Sequence, residues 1–180
     1  NNVVAGNWIG AITTGGAADI ATERNDLYGI EVLGAWNTVG GATAADGNVV
    51  SGNNTGIVVQ NAAGNTIRGN IVGLLADGDT VQANVDEGIQ VLGASVTVIR
   101  GNVLSGNVND GLWVQGGTGH VIAGNIVGLN AAGTAARANG GFGISFSTGV
   151  TNTTIGGTTA ADRNVVAGNG LSGISLGTNS

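Results

Sequence analysis

A tetrad consisting of a glycine, a branched apolar residue, a variable position and a second apolar residue recurs six times along the chain. The copies are Gly29-Ile30-Glu31-Val32, Gly56-Ile57-Val58-Val59, Gly88-Ile89-Gln90-Val91, Gly111-Leu112-Trp113-Val114, Gly143-Ile144-Ser145-Phe146 and Gly173-Ile174-Ser175-Leu176. Their glycines are separated by 27, 32, 23, 32 and 30 residues, so a core repeat of 23 residues carries insertions of changing length. A constant core with variable inserts is the pattern of a coiled array, in which each repeat buries its apolar face only against its neighbours. The chain therefore reads as a solenoid.

A second element lies between the tetrads, with the form Asn-x-apolar-x-Gly-Asn. It is seen at Asn2 to Asn7, Asn48 to Asn53, Asn65 to Asn70, Asn102 to Asn107 and Asn164 to Asn169. In the tightest turn, Gly88 to Leu92 reads as one strand, Val96 to Arg100 as a second and Asn102 to Ser105 as a third, before Gly111 opens the next turn. Three strands per turn make an all-β, parallel coil of about six turns. Successive strands lie about 4.8 Å apart, so like residues sit over like, and the rod is roughly 30 Å long. Two inward columns follow from the tetrads: Ile30, Ile57, Ile89, Leu112, Ile144, Ile174, and Val32, Val59, Val91, Val114, Phe146, Leu176. A third is Val4, Val39, Ile67, Ile99, Ile122, Ile155; the set Ile9, Val50, Val72, Leu104, Val127, Val166 forms a fourth, whose facing the pattern leaves open.

Asparagines fall into columns as well. Asn25, Asn53, Asn84, Asn107, Asn139 and Asn169 precede the tetrads, and Asn7, Asn48, Asn70, Asn102, Asn125 and Asn164 open the third strands. A primary amide both donates and accepts, so stacked amides form a ladder that satisfies bent backbone from turn to turn. Their fixed place at corners favours that structural role over binding of sugar or ice.

Composition narrows the function. With 9% charged residues, a net charge of −6 and no lysine, the chain lacks the basic clusters that nucleic acid requires. No apolar stretch approaches the roughly 20 residues of a membrane span. Without Cys or Lys there is no thiol nucleophile, Schiff base or Walker loop, and no cofactor is expected. The absence of cysteine is compatible with export, and an extracellular or cell-surface location is expected.

The inserts occupy two corners. One pair is 75–84 and 130–139; the other, 40–47 and 156–163, are near copies of each other. The run Asn152-Thr153-Thr154-Ile155-Gly156-Gly157-Thr158-Thr159-Ala160-Ala161-Asp162-Arg163-Asn164-Val165-Val166-Ala167-Gly168-Asn169, with Gly124-Asn125-Ile126-Val127-Gly128-Leu129, resembles the right-handed parallel β-helix repeat proteins of bacteria, in the pectin-lyase-like superfamily. The resemblance covers the whole chain and implies a right-handed coil. It is specific for fold and poor for activity, since that superfamily spans polysaccharide lyases, hydrolases, epimerases, tailspikes, adhesins and surface proteins.

An enzyme of that superfamily is expected to gather acidic calcium ligands with a basic residue, or two to three aspartates, on one sheet face. The acidic candidates are Glu87 and Asp110, just before the glycines of adjacent turns, with Asp77, Asp79 and Asp86 on the neighbouring loop. Five carboxylates suit a hard cation such as Ca²⁺. The competing reading, a solvated acidic corner, is favoured because the paired loop carries Ala132, Thr134, Gly141 and Phe142 where the first has Asp77, Asp79, Asp86 and Glu87. Arg68 and Arg100 share an outward column and either neutralise a uronate or cover apolar surface. His120 stands where other turns have Asn65 or Thr97, lacks a second imidazole or thiol to complete a zinc site, and reads as a surface substitution. Gly173 to Gly177 matches a nucleophile elbow, but it aligns with five strands that have no common serine, so the match is accidental. Trp36 and Trp113 are outward aromatics able to stack on a sugar or a partner surface.

The segment 173–180 leads into residue 1 in register, and the chain has no Met. One segment, 1–180, of a longer array is therefore expected. An open coil exposes unpaired backbone at its ends, which recruits another strand, and a non-closing head-to-tail contact yields filaments. The leading expectation is a structural, non-enzymatic β-solenoid; the alternative is a carbohydrate-binding or polysaccharide-processing module.

Overall fold

The computed structural model describes residues 1–10 and 23–177. Its eighteen strands are β1 (Val3–Val4), β2 (Trp8–Ile9), β3 (Tyr28–Val32), β4 (Thr38–Gly40), β5 (Val49–Val50), β6 (Thr55–Gln60), β7 (Thr66–Arg68), β8 (Ile71–Val72), β9 (Ile89–Leu92), β10 (Val98–Arg100), β11 (Val103–Leu104), β12 (Leu112–Gln115), β13 (Val121–Ala123), β14 (Ile126–Val127), β15 (Ile144–Phe146), β16 (Thr154–Ile155), β17 (Val165–Val166) and β18 (Ile174–Leu176). Every third strand joins the same sheet, giving three parallel six-stranded sheets. The first holds the tetrads, β3 to β18; the second runs β1 to β16; the third runs β2 to β17. The fold is a right-handed parallel β-helix of about six turns, the hand that a right-twisted strand imposes on parallel crossovers.

Register follows the apolar columns. Ile57 pairs with Ile89 and Val59 with Val91 in the first sheet, and Ile67 with Ile99 and Ile99 with Ile122 in the second. The fourth column also faces inward: Val50, Val72, Leu104 and Val127 are wholly buried and join the other three columns in one continuous core. The tetrad glycine is required by space. A Cβ at Gly88 would lie 2.7 Å from the Gly111 carbonyl oxygen and one at Gly111 2.7 Å from that of Gly143, so the corner closes only where no side chain stands.

Corner amides run along the axis. Asn48 Nδ2 donates to Asn70 Oδ1 (2.9 Å), Asn70 Nδ2 to Asn102 Oδ1 (3.0 Å) and Asn102 Nδ2 to Asn125 Oδ1 (3.1 Å). The same Oδ1 atoms also accept the backbone N–H of the preceding asparagine, as from Asn70 to Asn102 at 2.9 Å, and the second Nδ2 hydrogen reaches a strand carbonyl, as from Asn102 to Ile67 at 2.9 Å. At the next corner Asn53, Asn84, Asn107 and Asn139 are linked likewise, at 3.1, 2.9 and 2.9 Å. Each interior amide thus makes about as many hydrogen bonds as its chemistry allows.

Asn102→Ala would strip acceptors from two donors of Asn70 and a donor from Ile67. A buried polar group left unpaired costs about 1–3 kcal/mol, so a loss of at least ~3 kcal/mol is expected in urea unfolding. Asn2→Ala, in the exposed first turn, should cost no more than about 1 kcal/mol.

Candidate functional site on the first sheet and its corner

The five acidic candidates do not come together. Asp77 closes its own loop, accepting the N–H of Asp79 and of Thr80 (2.9 Å each) and the Thr80 hydroxyl (2.6 Å). Asp79 turns along the axis to the insert two turns away, where Arg137 Nη2 reaches its Oδ2 at 2.8 Å and Asn130 Nδ2 its Oδ1 at 2.9 Å. These hydrogen bonds, from Thr80 and from Asn130 and Arg137 respectively, hold both carboxyls below the ordinary carboxylate range. Among the described residues no three of His, Cys, Asp and Glu are grouped to hold a metal. Of the five carboxylates considered from the sequence, the inserts take two, Asp77 and Asp79, for their own folding.

Asp86, Glu87 and Asp110 remain at the edge of the first sheet. Asn109 Nδ2 donates to Asp86 Oδ1 at 2.5 Å. Asp110 accepts the Phe142 N–H at 2.7 Å and the Ser145 hydroxyl, and Glu87 accepts the Gln90 amide. On the same outer face Trp113 stands between Gln90 and Ser145 in register. Trp113 is half-buried, and Gln90 and Ser145 are only 8% and 6% exposed, so this outward row is largely covered. Trp36 lies three turns away, 65% exposed, with its ring over Gly64. A Cβ at Gly64 would enter that ring, so this glycine makes room for the indole. The two tryptophans do not share a surface.

Arg68 and Arg100 are register neighbours on adjacent strands of the second sheet. Arg100 is not a free cation, because its Nη2 meets Asp162 Oδ1 at 2.6 Å. Asp162 is presented by the 156–163 insert, where its Oδ2 accepts the Thr159 hydroxyl at 2.6 Å around the 3-10 turn Ala160–Asp162. Asp46 does the same for Thr43 at 2.8 Å around Ala44–Asp46. The basic pair read from the sequence as available to a uronate is thus half neutralised by Asp162; that role, and the closing of the two 3-10 turns by Asp46 and Asp162, motif reading missed. The Thr-x-x-Asp spacing that signals it is present twice.

His120 corrects the expectation of a surface residue: it is 1% exposed. The corner between the first and second sheets holds a third file, beginning with Asn2, whose N–H donates to Asn37 Oδ1 at 2.9 Å, and Asn37, whose N–H donates to Asn65 Oδ1 at 2.8 Å. Thr97 and His120 continue it, the Thr97 N–H donating to His120 Nδ1 at 3.3 Å. Burial, opposed by the Gly116 backbone, pushes the imidazole pKa down.

Burial is the main cause that pushes the Glu87 carboxyl up to about 7 from 4.5; Gln90 opposes it and Asp86 adds to it. The folded chain then holds a proton that the unfolded chain releases, so this group's contribution is present below pH 4.5 and lost as pH rises through about 7. Glu87→Gln should remove that loss, leaving the variant more stable than the parent above pH 7 and little changed below pH 4.5. Urea midpoints across that window measure the effect.

Comparison with solved structures finds the Azotobacter vinelandii mannuronan C-5 epimerase AlgE4 A-module, 15% identical, at a TM-score of 0.35. The match covers 87% of this chain and 56% of that one, so the chain spans little more than half its length. A likeness at that TM-score carries no argument about chemistry. No curated protein matches. A sequence-family model described as "Periplasmic copper-binding protein (NosD)" matches residues 1–177. The side chains present do not fit copper: imidazole, thiolate and thioether are its usual protein donors, the chain has no Cys, no Met and one His, and that His is buried with Nδ1 engaged. No helix among the described residues is long and apolar enough to cross a membrane. The match over nearly the whole length places the chain in the NosD family, whose periplasmic description agrees with the expected location outside the cytoplasm.

Proposed function

We propose that the chain is a structural β-solenoid that extends end to end as a stalk or filament, through further turns supplied by a longer array or by a second copy. The observation that carries this reading is the match between its first and last turns. β1, β2 and β3 are outermost at one end of the three sheets, and β16, β17 and β18 at the other. The inward columns finish in Val4, Ile9, Ile30 and Val32 on one face and in Ile155, Val166, Ile174 and Leu176 on the other. Leu176 is 68% exposed.

The amide files have a direction. Asn7 Nδ2 donates to Asn48 (3.0 Å) and Asn125 Nδ2 to Asn164 (3.0 Å), so the files offer acceptors at the Asn7 end and donors at the Asn164 end. A join that continues the register sets β1 on β16, β2 on β17 and β3 on β18, and it turns two asparagine files into continuous ladders. A sheet edge with these features is a template for pairing.

Electron microscopy of residues 1–180 tests the reading. Uniform filaments are expected, shortened or abolished by Leu176→Asp, with the circular dichroism spectrum unchanged. Parent protein that remains monomeric at high concentration would overturn stacking of separate copies.

A second reading, binding of a polysaccharide along the first sheet, draws on one feature. Trp113 has the polar Gln90 and Ser145 on adjacent turns, and these two side chains bond Glu87 and Asp110. Binding of neutral or acidic polysaccharides that is lost in Trp113→Ala would favour it over the stalk.

A further inference from the structure

We infer that His120 is a structural substitute for a corner asparagine, and that this chain carries the coil of its family without a copper site. The comparison lies within one corner. Asn2 N–H donates to Asn37 Oδ1 and Asn37 N–H to Asn65 Oδ1, at 2.9 and 2.8 Å. One turn beyond Thr97, the acceptor in the same position is an imidazole nitrogen: Thr97 N–H donates to His120 Nδ1 at 3.3 Å.

The backbone repeats the equivalence. The carbonyls of Asn37, Asn65 and His120 accept the N–H of Thr66, Val98 and Thr154, each at 2.9 Å. His120 therefore occupies an asparagine's place, with Nδ1 in the role of the amide oxygen. An Nδ1 that accepts fixes the neutral ring in the Nε2–H form.

That arrangement leaves no lone pair for a metal. Copper binds a neutral imidazole through a free ring nitrogen; here Nδ1 is occupied and Nε2 carries the proton. The Nε2 edge is also walled: a Cβ on Gly117 would come within 2.9 Å of it, so the backbone of residue 117 already lies against the ring. With no Cys or Met in the chain, carboxylates are the remaining charged donors, and among the described residues no three of His, Cys, Asp and Glu are grouped.

The substitution is imperfect, and its imperfection is local. Asn65 Nδ2, Thr97 Oγ1 and His120 Nε2 are buried without a partner, on three successive turns of this corner. A hydroxyl is too short to accept from Asn65 as an amide would, and an imidazole has no second donor hydrogen to continue the file.

The experiment uses residues 1–180 with the N-terminal amine blocked. Cu(I) and Cu(II) are titrated against a competing chelator, and bound Cu(II) is examined by electron paramagnetic resonance. The inference expects no stoichiometric copper and no nitrogen hyperfine structure that depends on His120. Long-range proton–nitrogen NMR should find the ring in the Nε2–H form, and the double variant Thr97→Asn, His120→Asn should melt at a higher temperature than the parent. One equivalent of copper whose nitrogen signal disappears in His120→Asn would overturn it, as would an Nδ1–H tautomer. A lower melting temperature in the double variant would refute the asparagine-substitute half while leaving the copper result to stand separately.

Discussion

A parallel coil must bend its backbone sharply at every corner, and each bend withdraws N–H and C=O groups from the sheets while burying them. Stacked asparagines resolve this. Asn102 shows the full arrangement: its oxygen accepts the N–H and the side-chain amide of Asn70, and its nitrogen donates to Ile67 and Asn125. The alternative is several unpaired polar groups per corner, each costing about 1–3 kcal/mol, against a total stability of typically about 5–15 kcal/mol. The apolar columns supply the driving force for collapse and set its register; the corner amides satisfy the backbone that the bends withdraw from the sheets.

Charged residues are few, and the structure uses them mainly to shape the inserts. Asp46 and Asp162 cap matching 3-10 turns, Asp77 closes its own loop, and Asp79 ties one insert to the other through Arg137. The exception is the edge of the first sheet, where burial raises Glu87. The coil by itself says little about chemistry, because chemistry resides in side chains grafted onto a fold.

Much of this was legible in the repeat. The repeat placed Ile57 over Ile89 in the tetrads and Ile67 over Ile99 in the strands that follow, because a strand alternates its side chains and a solenoid repeats its path, so equal positions must coincide. The facing of the Val50 column was not legible, since strands of two residues such as Val49–Val50 carry no alternation to read. The shared place of Asn65, Thr97 and His120 was legible but its burial was not: the column has no common residue type, and a lone histidine resembles a surface residue until its neighbours are known.

By itself, then, the sequence determined the coil, its turns and its inward columns, because these depend on local periodicity summed along the chain. Tertiary structure alone decided the fate of the charged side chains. Asp79 and Arg137 are 58 residues apart and meet because the rod brings two inserts alongside one another; Arg100 and Asp162 are 62 apart and meet because an insert leans over the strand that carries Arg100. Burial of His120 is likewise a property of the corner that closes around it. An electrostatic contact depends on distance in space, and in a coil that distance is fixed by how insert loops lean along the axis, which no repeat pattern encodes.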